Sequence, residues 1–387
     1  MSYSPPTTAK PFTLHISDQE YSEWHQLLQL SPLPPDTWAG RQEDRRFGPS
    51  RKWLSETKEY WLNQYDWRAQ EAHINSFPNY KMQIENVDVH FVALFSQNKN
   101  AIPIIFMHGW PGSFIEFLPM CQVIREKYSA KDLPYHIIIP SLPGYTLSRV
   151  QSVEEEWTMA DSARIMNQLM LALGFEKYLA QGGDVGSFQA RLLSQEYEAC
   201  VGCHLNMFTT PDQPDENTLS PLEKKALDRA ATWRASGTAY AQEHGSRPNT
   251  IGAVLSSSPL ALLAWIGEKF LEWTDEDPSL DTILTNISLY WYTSSFPRSI
   301  YPYRELFGPN RSGFKFHQKP TGFSFFPHEL DPGIKSVLEK HANLVFYKQH
   351  ERGGHFAALE KPREFFEDVE EYVGKAWKRA WSFSSKM

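Results

Sequence analysis

The chain has 387 residues, 41% of them hydrophobic, which is enough to fill the core of one large domain with a lid, or of two domains. Its net charge of −8 and pI of about 5.9 argue against nucleic-acid or anionic-membrane partners, because the basic residues occur only in mixed runs such as Arg41-Gln42-Glu43-Asp44-Arg45-Arg46. No apolar run reaches the roughly 20 residues that span a bilayer, and Met1-Ser2-Tyr3-Ser4-Pro5-Pro6 has neither a basic nor an apolar signal region, so no membrane anchor is expected.

Residues 1 to about 80 are rich in Pro and Trp and carry helical runs such as Asp18–Leu30. Residues 83–94 alternate in part (Val87, Val89, Phe91) around a turn at 85–88, which predicts a hairpin. Strand patterns recur at 102–107, 136–139 and 178–181. A helix is expected between the last two, opened by a capping box at Thr158-Met159-Ala160-Asp161 and stopped at Gly174. A core strand is expected over 201–207. Thr209-Thr210-Pro211-Asp212-Gln213-Pro214 reads as a linker, and helical stretches follow, notably 260–273 and 281–292. The sheet pattern resumes near 314 and includes the apolar run 343–347. Alternating strands and helices imply a mostly parallel sheet flanked by helices. The division read from these shifts is an N-terminal extension over 1–80 packing on core and lid, a core over 81–208, a helical lid over 209–313 and the rest of the core over 314–387.

Gly182-Gly183-Asp184-Val185-Gly186-Ser187 has the shape of the G-x-nucleophile-x-G elbow of α/β-hydrolases, with an aspartate in the nucleophile slot. The glycines let the backbone bend sharply between an apolar lead-in and an amphipathic run. A serine alkoxide attacks acyl carbon. A carboxylate instead displaces a leaving group from saturated carbon and becomes an alkyl ester, which points to epoxides or alkyl halides.

The rest of such a site should follow in the order nucleophile, acid, histidine. His355, on the loop Arg352-Gly353-Gly354-His355-Phe356 after an apolar run, is the candidate base, with His341 and His350 expected on the surface. Glu329 in Phe325-Phe326-Pro327-His328-Glu329-Leu330 is a candidate orienting acid, and Asp331 competes with it. His108-Gly109-Trp110-Pro111-Gly112-Ser113-Phe114 follows a strand and occupies the place of the oxyanion loop. The oxyanion-hole donors would be the backbone N–H groups of Trp110 and Val185.

These motifs, with Gly353-Gly354-His355-Phe356-Ala357-Ala358 and an N-terminal stretch holding Trp61, Tyr65, Asp66, Trp67 and Arg68, resemble microsomal-type epoxide hydrolases, most of all their soluble fungal branch. The resemblance covers nearly the whole chain. It implies an α/β-hydrolase core with a helical lid, a small apolar epoxide and water as substrates, no cofactor, no metal, and two lid tyrosines that protonate the epoxide oxygen. Ala239-Tyr240-Ala241 matches the first. The stretch from Tyr290-Trp291-Tyr292 to Tyr301-Pro302-Tyr303-Arg304-Glu305 matches the second, with Tyr303 the best aligned and Tyr301 its rival. The relay acid is aspartate in some relatives and glutamate in others, and Glu329 resembles the glutamate version. Lid aromatics such as Trp265, Phe270 and Trp291 point to an apolar pocket. The soluble relatives make a homodimer the expected assembly.

Other readings use the same residues. A haloalkane dehalogenase shares the aspartate elbow, but the positions of its usual halide donors hold Trp110 and Val185 here. A biosynthetic epoxide-opening cyclase and a non-catalytic hydrolase-fold receptor are the others. Cys200-Val201-Gly202-Cys203-His204 has the form of a haem-attachment string, but it falls where a core strand is expected and no export signal precedes it. With Cys121 the cysteine count is odd, which points to a reducing, cytoplasmic setting. The last residues, Ser385-Lys386-Met387, are one residue from a peroxisomal address, and an ordinary polar tail is the preferred reading.

Overall fold

A computed structural model describes residues 3–306 and 315–384. The C-terminal Ser385-Lys386-Met387 and residue 314, where the sheet was expected to resume, lie outside the described residues. One ten-stranded sheet organises the fold. Its strands are β1 (Lys10–Pro11), β2 (Asn79–Ile84), β3 (Val87–Leu94), β4 (Ile102–Met107), β5 (Tyr135–Pro140), β6 (Arg149–Val150), β7 (Tyr178–Gly182), β8 (Cys200–Leu205), β9 (His317–Phe325) and β10 (Ala342–Gln349). They lie in the order β1-β2-β3-β5-β4-β7-β8-β9-β10, with β6 added to β3. From β5 to β10 every pairing is parallel, while β1, β2, β3 and β6 are joined by antiparallel pairings. This is the α/β-hydrolase fold. Strands β4, β5 and β7 are nearly continuous apolar runs because helices cover both faces of the parallel part.

The predicted helix between β5 and β7 runs over Met159–Ala172. Its Thr158–Asp161 capping box is formed, and Gly174 stands at φ 88° just past its end. The hairpin forms, but its first strand begins at Asn79 rather than 83, and Glu85, at φ 51°, makes the turn. Between β8 and β9 the chain leaves the sheet for a helical insert, with its longest members at Pro221–Ser236, Pro259–Trp273 and Leu280–Tyr292. The N-terminal helices Asp18–Leu30, Arg51–Asn63 and Trp67–Asn75 pack on this insert. Trp24 and Trp61 lie 5.3 Å apart, Trp67 lies 4.9 Å from Tyr292, and the Tyr65 hydroxyl donates to Thr285 Oγ1 at 3.1 Å. Among the described residues no single helix is long and apolar enough to cross a membrane.

Four loops leave the carboxyl ends of the parallel strands β4, β7, β9 and β10 on one edge of the sheet, where ligands of open α/β sheets bind. The insert closes over that edge.

Candidate active site

Asp184 begins the helix Asp184–Glu196 at φ 47°, a left-handed conformation that costs a side-chain-bearing residue about 1–2 kcal/mol. A Cβ at Gly182 would lie 2.0 Å from the Gly186 carbonyl oxygen, and one at Gly186 would lie 2.0 Å from that of Met107. Glycine at both positions therefore lets the turn close. The carboxylate sits at the positive end of the helix dipole, and its Oδ1 accepts the Trp110 N–H at 2.8 Å. Val185 follows in the first helical turn, whose amides have no partner within the helix.

His355 Nε2 lies 3.4 Å from Asp184 Oδ2, and His355 Nδ1 lies 2.6 Å from Glu329 Oε1. Glu329 follows β9, is fully buried, and also accepts the Leu330 N–H at 2.6 Å. Asp331 is not part of this chain of contacts, and pairs instead with Arg234 at 3.5 Å. The His355 loop is tied to the insert. Its N–H donates to Trp273 O at 3.0 Å, the Gly353 N–H to Asp275 Oδ2 at 2.9 Å, and the Asp275 N–H to Glu360 Oε2 at 2.7 Å. Burial alone would lower the His355 pKa. The Glu329 and Asp184 carboxylates outweigh it and raise the imidazole to about 10.

Two tyrosines reach the site from the insert. Tyr240, on Ala239–Ser246, and Tyr303, on Pro302–Leu306, are buried, lie 5.7 Å apart edge to face, and hydrogen-bond each other. Burial drives both phenols well above their usual range, and the Asp184 charge adds to the effect, so both carry their protons at neutral pH. The Trp110 ring stacks on Tyr240 at 5.2 Å and meets Tyr303 edge-on at 5.8 Å. The Tyr301 hydroxyl turns away to Ser162 Oγ at 2.6 Å, on the helix Met159–Ala172. The structure thus brings Asp184, His355, Glu329, Trp110, Val185, Tyr240 and Tyr303 to one place and leaves Tyr301 and Asp331 outside it.

Other residues of the site carry no sequence signal of their own. Tyr145 is buried, electrostatically coupled to Asp184, and its hydroxyl meets no hydrogen-bond partner among the described residues. Asn286 Nδ2 donates to Pro111 O at 2.6 Å and the Tyr290 hydroxyl to Gly112 O at 2.8 Å, which holds the oxyanion loop from the insert. Glu116 lies just past the 108–114 motif. It keeps some exposed surface, but desolvation pushes its carboxyl up to about 8. Of the expected pocket aromatics, Trp265 donates to His244 Nε2 at 3.0 Å, Phe270 stacks on Phe356 at 4.6 Å, and Trp291 lines a separate cavity of about 230 Å³ with Trp24, Leu255, Phe296, Glu20 and Glu23, away from Asp184 and His355.

His350 departs from the surface position expected for it. It is half-buried, and its Nε2 lies 2.6 Å from Oδ2 of the fully buried Asp368, a charged group that needs a partner. His341, also half-buried, lies 3.0 Å from Asp212. Cys200 and Cys203 are free and buried in β8, where burial pushes their thiols up to about 12 and about 11. Among the described residues no group of three or more His, Cys, Asp or Glu could hold a metal ion.

The family model described as "Epoxide hydrolase N terminus" matches residues 9–117, and that described as "alpha/beta hydrolase fold" matches residues 102–252. A protein of Dothistroma septosporum described as "Putative epoxide hydrolase" is 43% identical, with 96% of this chain and 92% of that one covered. Epoxide hydrolase 1 of Oryctolagus cuniculus is 32% identical over 94% of this chain and 88% of its own. The solved structure of Aspergillus niger epoxide hydrolase superposes with a TM-score of 0.92 at 45% identity, covering 97% and 99% of the two chains. With the site geometry, these similarities make the chain a member of the epoxide hydrolase family, within the α/β-hydrolase superfamily, and its activity that of an epoxide hydrolase.

Proposed function

We propose that this chain opens its epoxide through a covalent ester on Asp184. One Asp184 oxygen attacks a ring carbon. The C–O bond breaks with its electron pair on the ring oxygen, and the Tyr240–Tyr303 pair supplies a proton to that oxygen. Esterification removes the Asp184 charge, so His355 gives up its proton, which restores the tyrosine. The now neutral His355, oriented by Glu329, takes a proton from water, and hydroxide adds to the Asp184 carboxyl carbon. The N–H groups of Trp110 and Val185 stabilise the oxyanion. Collapse of this intermediate releases a vicinal diol and returns Asp184 as a carboxylate and His355 as an imidazolium. The cycle consumes one epoxide and one water and needs no cofactor.

The observation that carries this reading is the continuous contact from Glu329 through His355 to Asp184, with the second Asp184 oxygen on the Trp110 amide. Residues 209–313 would act as the lid that supplies the acids, with 1–80 packed on it and 81–208 and 314–387 forming the core. The aromatic cluster of Trp110, Tyr240, Trp273 and Tyr303 beside Asp184 supports small apolar epoxides, a class met in detoxification and aromatic-hydrocarbon catabolism. Free, buried cysteines support a reducing, cytoplasmic setting. A homodimer would be read by light scattering.

The deciding experiment uses His355→Gln with styrene oxide. The variant should accumulate an adduct on the peptide holding Asp184, with a mass gain equal to the whole epoxide. A haloalkane-type displacement would add only an alkyl group. Diol formed in stoichiometric amount with no adduct at any time would refute the role given to Asp184.

A further inference from the structure

A second cavity, of about 120 Å³, lies behind the oxyanion loop. Gly112, Glu116, Phe270 and Leu359 are among the residues of its wall, and Gln70, His73 and Thr282, which all keep exposed surface, line it as well. That volume has room for several waters. Phe270 stacks on Phe356 at 4.6 Å, and the Phe356 ring meets that of His355 at 5.1 Å, so this wall reaches the base through one intervening ring. Asn286 also lines the cavity, but both ends of its amide are occupied: Oδ1 accepts from Ser113 Oγ at 2.6 Å, and Nδ2 donates to Pro111 O.

Glu116 is the acidic group of this lining. A Cβ at Gly112 would lie 2.1 Å from Glu116 Oε2, so the glycine leaves the place where the carboxyl folds back onto the oxyanion loop. Glu116 is electrostatically coupled to both Asp184 and His355. These two face it from the site, and His73 is the other titratable group lining the cavity. The mechanism above gives this carboxyl no part.

We propose that the cavity is the route by which hydrolytic water reaches the Asp184 ester, and that Glu116 is the positioning residue that seats this water against His355. The proposal rests on the ester reading. In the ester the alkyl group occupies the space between Asp184 and the tyrosine pair, so water needs another approach. Glu116 exchanges no atom: the water oxygen goes to the Asp184 carboxyl carbon and its proton to His355 Nε2.

The test is rapid-quench kinetics on the full chain with styrene oxide, following adduct formation and adduct decay separately in Glu116→Gln, Glu116→Asp and Thr282→Trp. Glu116→Gln should slow decay about tenfold or more, as misplaced reactants do, and leave formation unchanged. Glu116→Asp should recover part of the loss. Thr282→Trp, which plugs the cavity with Glu116 intact, should slow decay as well. Decay at the wild-type rate in both Glu116→Gln and Thr282→Trp would overturn the proposal. So would an equal fall of both half-reactions, which marks a structural role. Absence of an adduct in every form, His355→Gln included, would overturn the ester reading itself and the water route with it.

Discussion

The two carboxylates on His355 predict a switch in its basicity during the cycle. In the resting site the imidazole is raised to about 10. Part of that comes from Asp184, whose Oδ2 is 3.4 Å from Nε2. At that separation an effective dielectric of about 20 gives a Coulomb energy of about 5 kcal/mol. At about 1.4 kcal/mol per unit, removing it lowers the His355 pKa by up to about 3–4 units. Asp184→Asn reproduces the loss of charge that esterification causes. His355 should then titrate at about 6–8, the range where a general base serves near neutral pH. The assay is ¹⁵N NMR titration of histidine-labelled protein. The chain has thirteen histidines, and the spectrum of His355→Gln identifies the signal. If His355 in Asp184→Asn titrates within about one unit of the wild type, Asp184 does not govern its basicity. The switch from resting acid to base in the ester would then be wrong.

Tyr240→Phe and Tyr303→Phe should each slow ester formation by about 10²–10⁴-fold, and the double variant should nearly abolish it. Tyr301→Phe should spare it because that hydroxyl is engaged with Ser162; equal damage at 301 and 303 in single-turnover assays would break the assignment. Glu329→Gln weakens a charge-assisted hydrogen bond worth about 1.5–3 kcal/mol, so ester hydrolysis should fall about 10–100-fold while ester formation stays closer to normal. Asp331→Asn should leave both steps intact, and the reverse pattern would exchange the two acids. Stability should fall in mild acid. Burial pushes His108 and His204 down to about 4, so their contribution is complete above the unfolded value of about 6.5 and is lost as pH falls toward 4. Melting followed by circular dichroism between pH 7 and pH 4.5 should show the drop, and a flat profile would contradict it.

Much of the chemistry was legible because it rides on backbone punctuation. Gly182 and Gly186 mark the elbow since no side chain fits there, and Thr158, Asp161 and Gly174 mark the ends of a helix for equally local reasons. What depends on distant contacts was not legible. Lys10–Pro11 and Arg149–Val150 are too short to show a period, so two strands of the sheet left no trace in the pattern. His350 reads as a surface residue until Asp368, on another element, is buried beside it. Tyr301 and Tyr303 differ by two positions, and only packing separates them: Ser162 and Tyr145 meet Tyr301, while Tyr240, Trp110 and His244 meet Tyr303. Tyr145 joins the site through the closing of the fold, and Glu116, although two residues past the 108–114 motif, carries no signal that separates it from an ordinary surface glutamate.

Trp110 belongs to both halves of the reaction centre. Its amide fixes one oxygen of the nucleophile, while the face of its ring carries Tyr240 and its surroundings include Tyr303, His244 and Phe296. Beside the Asn286–Pro111 and Tyr290–Gly112 hydrogen bonds, this indole sets the register of core and insert at the reaction centre, much as a spacer sets the gap between two plates. A smaller side chain at this position would add room for substrate but lose the gauge that keeps the acids a fixed distance from the attacking oxygen. Room for larger epoxides has to come from residues that touch neither the nucleophile nor the acids, so that the wall recedes without moving either plate.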